Sequence, residues 1–302
     1  MKAIVFGNVT LDTICYPINE VPRYESINFD DVNISAGGCG SNTAIGLAAL
    51  GIPTGIVACI GDDDAADLIF RYWHKAGVDH RFVQRIGGKT TGIAIGLIDN
   101  DFQPRFVHTP GANGSISADL IAPSTYAAIG TKYFHIAGFF VLPNLFNRVE
   151  EKLEELRQAG ITTSLDVAFN VRMENPKLRD ELWSALPHLD YFTANAHEAY
   201  RLTGEDDFKK AAEVLRERGA QNVIIKLGAK GVYALSPAFS GIIPGTKVKV
   251  VDTTGAGDAF AAGFIASLVR GGDIHQACIM GNQAGARICT RLGAIEAWFD
   301  NK

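Results

Sequence analysis

The sequence predicts an α/β fold, with a mostly parallel central sheet that carries helices on both faces. Strand-length apolar runs alternate with helix-length amphipathic runs along the chain, which is the pattern of βαβ units. The strand-length runs are almost continuously apolar, as in strands that are buried on both faces. The 302 residues contain neither an internal repeat nor a Pro- or Ser-rich linker, so we expect one domain over residues 1–302.

The individual elements follow from the positions of these runs. Several helical runs stop at a glycine, such as Gly160 and Gly219, which is the usual residue just past a helix C-terminus. The predicted strands are 3–7, 55–60, 133–137, 161–166, 191–194 and 223–227. The predicted helices are 42–50, 64–76, 145–159, 177–186, 197–203 and 208–218.

Two segments interrupt the alternation, at about 12–34 and 91–109. They contain alternating or β-branched runs instead of a helical pattern, and D-N-D at residues 99–101 predicts a hairpin turn between two such runs. Strands inserted far apart in the chain can pair into a small separate sheet. They can equally extend the main sheet in antiparallel fashion, and the pattern leaves both arrangements open.

Composition narrows the class of protein. Apolar residues make up 47% of the chain, which indicates a globular protein. The net charge of −5 and the lack of a basic run argue against a nucleic-acid partner. No apolar run approaches the ~18 residues of a membrane span, so no membrane partner is expected. The five cysteines are scattered, and the first residues look like a strand rather than a secretion signal, so we expect a cytoplasmic protein with reduced thiols.

The most informative segment is the run D-T-T-G-A-G-D-A-F over residues 252–260. It follows the strand-like stretch 248–251 and leads into an apolar, helix-like run. N–H groups at a helix start lack partners within the helix and bind anions such as phosphate, and Gly255 and Gly257 let an anion approach the backbone closely. A carboxylate at Asp258 would repel that anion, unless its role is to accept a proton from an attacking hydroxyl. The alternative is that Asp258 only caps the helix.

This run matches, residue for residue, a signature of the ribokinase-like sugar kinases, the PfkB carbohydrate kinase family. The resemblance implies a ribokinase-like fold whose segments 12–34 and 91–109 form a small β lid over the sugar. It implies ATP-dependent transfer of the γ-phosphoryl group to a hydroxyl of a sugar or sugar-like molecule, with ATP and Mg²⁺ as cofactors and K⁺ as a further candidate. A homodimer through the lid is compatible with it. The residues it assigns to catalysis are Gly255, Ala256, Gly257 and Asp258.

A second motif lies near the N-terminus, where A-G-G-C-G-S-N-T-A over residues 36–44 runs into a helix. It resembles the family's G-G-x-G-x-N motif, whose glycines and asparagine bind sugar hydroxyls together with an aspartate near the first strand. Carboxylate and amide groups suit such a ligand because each offers more than one hydrogen-bonding site. Asn42 could equally be a helix cap. The sugar-binding residues implied are Asp12, Gly37, Gly38 and Asn42.

Further motifs continue the resemblance in family order. N-A-H-E over residues 195–198 resembles N-x-x-E, which implies that Glu198 holds a hydrated Mg²⁺, although the same residues also predict a capping box. K-L-G-A-K-G over 226–231 resembles the family's strand–turn–strand at the nucleotide, and the run from Gly281 resembles its C-terminal helix. The nucleotide-binding residues implied are Asn195, Lys226, Gly228, Gly231 and Asn282, and the candidates near a monovalent cation are Asp252 and Thr254.

The chain also departs from the family pattern. Cys39 stands where ribokinase has lysine, and the segment 133–140 lacks the glutamate that ribokinase uses for its sugar, so ribose is not the substrate we expect. A nucleoside is the alternative substrate, because Phe139, Phe140 and Cys39 could suit a base. Arg172, in a partial match to the family's D-x-N-x-R, could meet an acidic or phosphorylated sugar or simply lie at the surface.

Other classes of protein fit less well. A dinucleotide-binding oxidoreductase needs G-x-G-x-x-G after the first strand, and G-N-V-T at residues 7–10 does not provide it. A sugar-binding protein without catalysis would not need both Asp258 and Glu198. The sequence therefore predicts a sugar kinase with a small molecule as its partner.

Overall fold

The computed structural model describes residues 1–101, 104–142, 144–145 and 147–300. Within these ranges the chain forms a nine-stranded sheet with helices on both faces, and a separate four-stranded sheet. The predicted α/β fold is confirmed. The predicted segment 91–109, helix 145–159 and domain 1–302 each include residues that lie outside the described ranges.

The strands follow one another as β1 (Ala3–Gly7), β2 (Thr10–Tyr16), β3 (Asp31–Gly37), β4 (Thr54–Gly61), β5 (Asp79–Ile86), β6 (Gly92–Ile98), β7 (Pro104–Thr109), β8 (Tyr133–Ala137), β9 (Thr162–Asp166), β10 (Tyr191–Asn195), β11 (Asn222–Lys226), β12 (Val232–Leu235) and β13 (Ser240–Ile243). The central sheet has the order β13-β12-β11-β10-β9-β8-β1-β4-β5. Its strands from β11 to β5 pair in parallel, whereas β12 pairs antiparallel with both of its neighbours.

The helices are α1 (Cys39–Ala49), α2 (Asp64–Ala76), α3 (Pro123–Ala128), α4 (Val149–Gln158), α5 (Pro176–Ala185), α6 (Ala196–Thr203), α7 (Phe208–Glu217), α8 (Ala256–Val269) and α9 (Ile274–Ile288). One face of the central sheet packs against α3 to α7, and the other packs against α1, α2, α8 and α9. The side chains packed between the helices and each face of the sheet are apolar and buried, as expected for a parallel sheet.

Local sequence signals explain where the elements begin and end. At the start of α2, the side chain of Asp63 accepts a hydrogen bond from the N–H of Ala66 (3.0 Å), and at its end Gly77 adopts a left-handed φ of 84°. The predicted bounds of α2, and those of β1 and β8, agree with the structure. The polar strand β5 escaped prediction because it lies at the sheet edge and is largely exposed or half-buried.

One predicted strand is wrong. Residues 248–251 form an extended loop in front of the glycine-rich run and pair with none of the described strands. Val251 instead donates its N–H to the carbonyl of Cys289 (2.8 Å), just past α9. Val248 and Val250 remain exposed, so their apolar character does not reflect burial in a sheet.

The small sheet settles the arrangement of the two interrupting segments. Its order is β3-β2-β6-β7, with β2 antiparallel to β3 and parallel to β6, and with β6 antiparallel to β7. The segments therefore pair with each other and do not extend the main sheet. Asp12 lies within β2, and not merely after β1 as the sequence suggested.

No helix in the described ranges combines the length and the apolar character needed to cross a membrane.

Candidate active site

A cavity of about 1090 Å³ opens at the carboxyl ends of β9, β10 and β11. Parallel α/β sheets bind ligands at this edge. The wall combines the glycine-rich run, the start of α6, the turn after β11, the loop before the glycine-rich run and part of α9. The predicted residues found in this wall are Asn195, Glu198, Lys226, Gly228, Gly231, Thr254, Gly255, Ala256, Gly257, Asp258 and Asn282.

The two glycines of the run serve different purposes. Gly255 is the N-cap of α8 with a left-handed φ of 74°, and a Cβ there would lie 2.6 Å from the Cβ of Ala294. It is therefore required by the backbone and by the adjacent C-terminal loop. A Cβ on Gly257 would meet only the Nζ of Lys226, at 3.3 Å, so this glycine faces the cavity. Ala256 donates its N–H to Thr253 (3.1 Å), which leaves the amides that follow it for an anion.

Asp258 lies in the first turn of α8 and is not its N-cap, so the capping interpretation is wrong. Its Oδ2 accepts a hydrogen bond from Nδ2 of Asn42 (2.9 Å) in α1, and Asn42 is likewise a helix residue and not a cap. Burial raises the pKa of Asp258 to about 7, although the bond from Asn42 opposes the shift. A carboxyl group with such a pKa can exchange a proton with a substrate at neutral pH.

A charged cluster lies beside Asp258 on the floor of the cavity. Nζ of Lys226, the last residue of β11, is 2.6 Å from Oδ2 of Asp166, the last residue of β9. Burial disfavours the charge on Lys226, but the attraction of Asp166 and of Glu198 outweighs it and raises the pKa of the lysine. Asp166 is the first residue of the partial D-x-N-x-R match, which gives no sign of its partner because Lys226 lies 60 positions away in the chain.

Glu198 and Asn195 form a capping box at the start of α6 and also lie in the cavity wall. Asn195 caps α6 by accepting the N–H of Glu198 (2.8 Å), and Glu198 accepts the N–H of Asn195 (2.6 Å), so the capping box is confirmed. Both residues also line the cavity. Burial raises the pKa of Glu198, which is 4% exposed and faces Lys226 and Asp166.

The residues predicted to bind the sugar are not among the residues of the cavity wall: Asp12 and Gly37 belong to the small sheet, and Gly38 and Asn42 lie at the start of α1. Asp12 is buried in β2, and its carboxylate accepts a hydrogen bond from the hydroxyl of Thr10 (2.5 Å). A side chain on Gly37, its neighbour in β3, would overlap that carboxylate. Gly38 precedes α1 with φ of 86°. Burial raises the pKa of Asp12 to about 6.

The remaining residues that are predicted to bind nucleotide either line the cavity or support its wall. Gly228 has φ of 61° and open space where a Cβ would stand, whereas a Cβ on Gly231 would collide with the backbone of β13. Asn282 lines the cavity, but its Nδ2 donates to the carbonyls of Ile243 (3.2 Å) and Pro244 (3.0 Å) and so ties α9 to the strand end.

Asp252 supports the glycine-rich run from within. One carboxylate oxygen accepts the N–H (2.9 Å) and the hydroxyl (2.7 Å) of Thr254, and the other accepts the N–H of Gly293 (2.9 Å). The carboxylate is buried, and its hydrogen bonds hold the glycine-rich run against the C-terminal loop.

Four other residues bear on the alternatives that the sequence leaves open. Phe139 and Phe140 are fully buried in the core and are not among the residues of the cavity wall, so they cannot stack on a base there. Arg172 lies in a short turn over residues 171–174, outside the cavity wall. Its backbone N–H donates to the side-chain oxygen of Asn170 (3.1 Å). Phe106 of β7 does line the cavity and was not predicted to do so.

A glycine-rich helix start, a buried aspartate with a raised pKa and a lysine–carboxylate cluster at the edge of a parallel sheet suit a phosphotransferase. The family model of the pfkB family carbohydrate kinases matches residues 2–301. The chain therefore belongs to the pfkB family of carbohydrate kinases, and the predicted enzyme class is confirmed.

Curated relatives and solved structures agree with this assignment. The chain is 29% identical over 296 residues to the ribokinase of Haemophilus influenzae, covering 96% of this chain and 92% of that protein. It is 31% identical over 264 residues to the ATP-dependent ribose-1-phosphate kinase of Halopiger xanaduensis, covering 87% and 83%. A structure from E. coli described as a Ribokinase II in complex with ATP and Mg²⁺ aligns with a TM-score of 0.85 at 25% identity, covering 98% of this chain and 95% of that chain.

Proposed function

We propose that this protein transfers the γ-phosphoryl group of ATP to a hydroxyl of a sugar, with Asp258 as the general base. The observation that carries the proposal is the hydrogen bond between Asn42 and Asp258, which are 216 positions apart in the chain. It joins the motif assigned to the acceptor to the motif assigned to phosphoryl transfer. A hydroxyl bound beside Asn42 would lie next to the base and next to the start of α8.

The reaction follows from this arrangement. The acceptor hydroxyl gives its proton to Asp258 as its oxygen forms a bond to the γ-phosphorus. The bond between that phosphorus and the β–γ bridging oxygen breaks, and ADP leaves. The amides of Gly257 and Asp258 stabilise the charge on the transferred group, because they point out of the helix start towards it.

Unsatisfied polar groups support a hydroxyl-rich acceptor. Oδ1 of Asn42 is buried without a hydrogen-bond partner among the described residues, and a sugar hydroxyl would supply the missing donor. The buried carboxylate of Asp12 has oxygen lone pairs beyond the one that Thr10 uses. Gly37 leaves room for the Asp12 carboxylate, whereas Gly38 is required by its left-handed φ and by the nearby backbone of Asn8.

Glu198 fits a hydrated magnesium ion. It is one buried carboxylate on the cavity wall, and the described residues contain no group of three or more His, Cys, Asp or Glu that could enclose a metal. Mg²⁺ keeps several waters and binds through one or two carboxylates together with substrate phosphates. When bound, it would supply positive charge against the phosphate oxygens, and Asn195 would face the same phosphates. Nucleotide would also contact Gly228, Gly231 and Asn282.

We further propose K⁺ as a candidate ligand near Asp252 and Thr254. Asp252 and Thr254 satisfy each other's hydrogen bonds as they stand, and a K⁺ ion would have to use the lone pairs that remain. We expect K⁺ to raise turnover relative to Na⁺ if it binds here. Equal rates in the two salts at the same ionic strength would remove K⁺ from the site.

The substrate is a free or phosphorylated sugar, because the relatives named for ribose and ribose-1-phosphate cover most of the chain. A nucleoside is the second candidate. Phe106 supports it, since an aromatic ring of the small sheet faces the cavity and could stack on a base.

Two further proposals concern the protein as a whole. The exposed face of the small sheet is apolar, which supports its role as a lid that also joins two copies in a homodimer; the exposed side chains are Val32, Ile34, Ile95 and Val107. Sedimentation of an Ile34→Asp variant tests this, and a molecular mass equal to that of the wild type would contradict it.

The five free cysteines support a reducing, cytoplasmic location.

The deciding experiment measures ADP release over a panel of sugars, sugar phosphates, sugar acids and nucleosides, with Asp258→Asn as the matched control. We expect one class to stimulate ADP release by the wild-type protein only. Stimulation by nucleosides alone would favour the second candidate. No stimulation by any acceptor, from a protein that binds ATP, would contradict the proposal.

A further inference from the structure

We propose that Lys226 is a catalytic residue that contacts the transferred phosphoryl group, and that Asp166 is the positioning residue that holds its ammonium there. The inference rests on the proposed kinase function and assigns a cation to its transition state. It goes beyond a general role of Lys226 in nucleotide binding, because it names the atom contacted and the residue that aims the lysine.

The position of the ammonium is the first argument. Lys226 ends β11, and its side chain lies on the sheet face that α8 covers, as does that of Ile224 two residues earlier. A Cβ on Gly257 would stand 3.3 Å from Nζ. The ammonium therefore lies against the open side of the helix start, where the amides that bind the anion point.

The hydrogen-bonding capacity of Lys226 is the second argument. An ammonium has three N–H donors, and the described bond to Oδ2 of Asp166 (2.6 Å) uses one of them. Lys226 also lines the cavity, so donors can reach a bound ligand without breaking the pair. The pair is held at the ends of two strands of the central sheet, which fixes the ammonium more firmly than a loop would.

The charge balance of the wall is the third argument. Asp166, Glu198 and Asp258 place three carboxylates around the phosphoryl position, and this repels an incoming polyphosphate. Among the described residues of the wall the cations are Lys226 and Lys247, and Lys247 is exposed on the loop at the rim. Lys226 is thus the side chain that can offset negative charge where it builds up during transfer. It keeps its proton throughout and forms no covalent bond.

A purely structural role is the competing explanation, and the variants are chosen to separate the two. Removing Lys226 alone would leave the Asp166 carboxylate unpaired and could unfold the protein. The test variant is therefore Lys226→Gln with Asp166→Asn, which removes both charges and keeps two hydrogen-bonding side chains. The matched control is Lys152→Gln with Glu155→Gln on α4, where the lysine side chain is 12% exposed, against 15% for Lys226.

The readouts are affinity for AMP-PNP, affinity for ADP, and kcat, each with magnesium present. We expect the test variant to melt near the wild-type temperature and to bind ADP as the wild type does. Its affinity for AMP-PNP should fall about ten- to hundredfold, as for the loss of a charged hydrogen bond. Its kcat should fall about 10²- to 10³-fold, as for a lost transition-state donor. The control should match the wild type in all three measurements.

Equal losses for ADP and AMP-PNP, or an unchanged kcat, would overturn the role of Lys226 while leaving the kinase function intact. A wild-type protein that binds neither nucleotide would overturn both proposals. If the test variant does not fold, a wild-type crystal structure with AMP-PNP and magnesium decides the matter. Nζ of Lys226 within hydrogen-bonding distance of a terminal phosphoryl oxygen supports the inference, and Nζ bonded to Asp166 alone contradicts it.

Discussion

The phosphoryl end and the acceptor end of the proposed site lie on different parts of the fold. At the phosphoryl end, Asp258, Lys226 and Asp166 belong to α8 and to the central sheet, and they balance one another's charge. At the acceptor end, Asp12 lies in the separate small sheet, with the hydroxyl of Thr10 as its described hydrogen-bond donor. In the proposed function, phosphoryl transfer therefore depends on residues of the main body, whereas the part of acceptor recognition assigned to Asp12 depends on the separate small sheet.

The largest expected effect lies at the phosphoryl end. Asp258→Asn keeps the size and the bond to Asn42 but removes the proton acceptor, so turnover should fall about 10²- to 10⁴-fold while ATP affinity is largely kept. Steady-state kinetics and titration calorimetry measure the two quantities. Near-normal turnover of the purified variant would show that the base lies elsewhere.

Variants of Gly255 and Gly257 also test the phosphoryl end. Gly257→Val should reduce turnover about 10²-fold by blocking amides that stabilise the transition state, and it should leave the fold intact. Gly255→Ala should instead cost about 1–3 kcal/mol of stability, because its left-handed φ and the nearby Ala294 leave no room for a side chain. Activity and thermal melting of both variants test the contrast. A fully active Gly257→Val would mean that no phosphate lies against this glycine.

The acceptor end should respond in affinity and not in chemistry. Asp12→Ala removes a buried carboxylate, which should weaken acceptor binding by about 1.5–3 kcal/mol, roughly ten- to hundredfold. Calorimetric titration of the acceptor into the folded variant measures this. Asp31→Ala, at an exposed position of the same sheet, is the control and should bind normally. Unchanged affinity in Asp12→Ala would remove this residue from the site.

The smallest expected effect is that of pH, because the titration of one group changes kcat/KM by at most tenfold per pH unit. Asp258 must be ionised to act as a base, and burial raises its pKa from 3.8 to about 7, so kcat/KM should rise with pH and level off above about 7. Between those two values the folded protein binds more protons than the unfolded chain, so this group makes stability fall as pH rises. Asp258→Asn should lose that slope in stability, and an identical slope would contradict the assignment.

Sequence reasoning worked best where the signal is local. The bounds of α2 follow from the cap at Asp63 and from Gly77, and the capping box of Asn195 and Glu198 is visible within four residues. The glycine-rich run and the helix that follows it were likewise evident. Each of these features is decided by neighbours in the chain, which a single sequence displays.

What sequence reasoning missed depends on partners far along the chain. Residues 248–251 have the composition of a strand, but the partner that Val251 finds is Cys289 beside α9, so a loop forms. Nothing local marks Asp166 as the partner of Lys226, which is 60 positions away. The different purposes of Gly255 and Gly257 become visible only when Ala294 is seen beside the first of them.

The link between Asp252 and Gly293 has a consequence for how the protein is made. The glycine-rich run is held from behind by Gly293 and Ala294, which leave the ribosome about forty positions after it. The strands of the central sheet all precede the run in the chain. The run lacks the contacts of residues 293 and 294 until those residues have been synthesised. We therefore expect a growing chain to hold all the strands of its sheet before it can fix the proposed phosphate site.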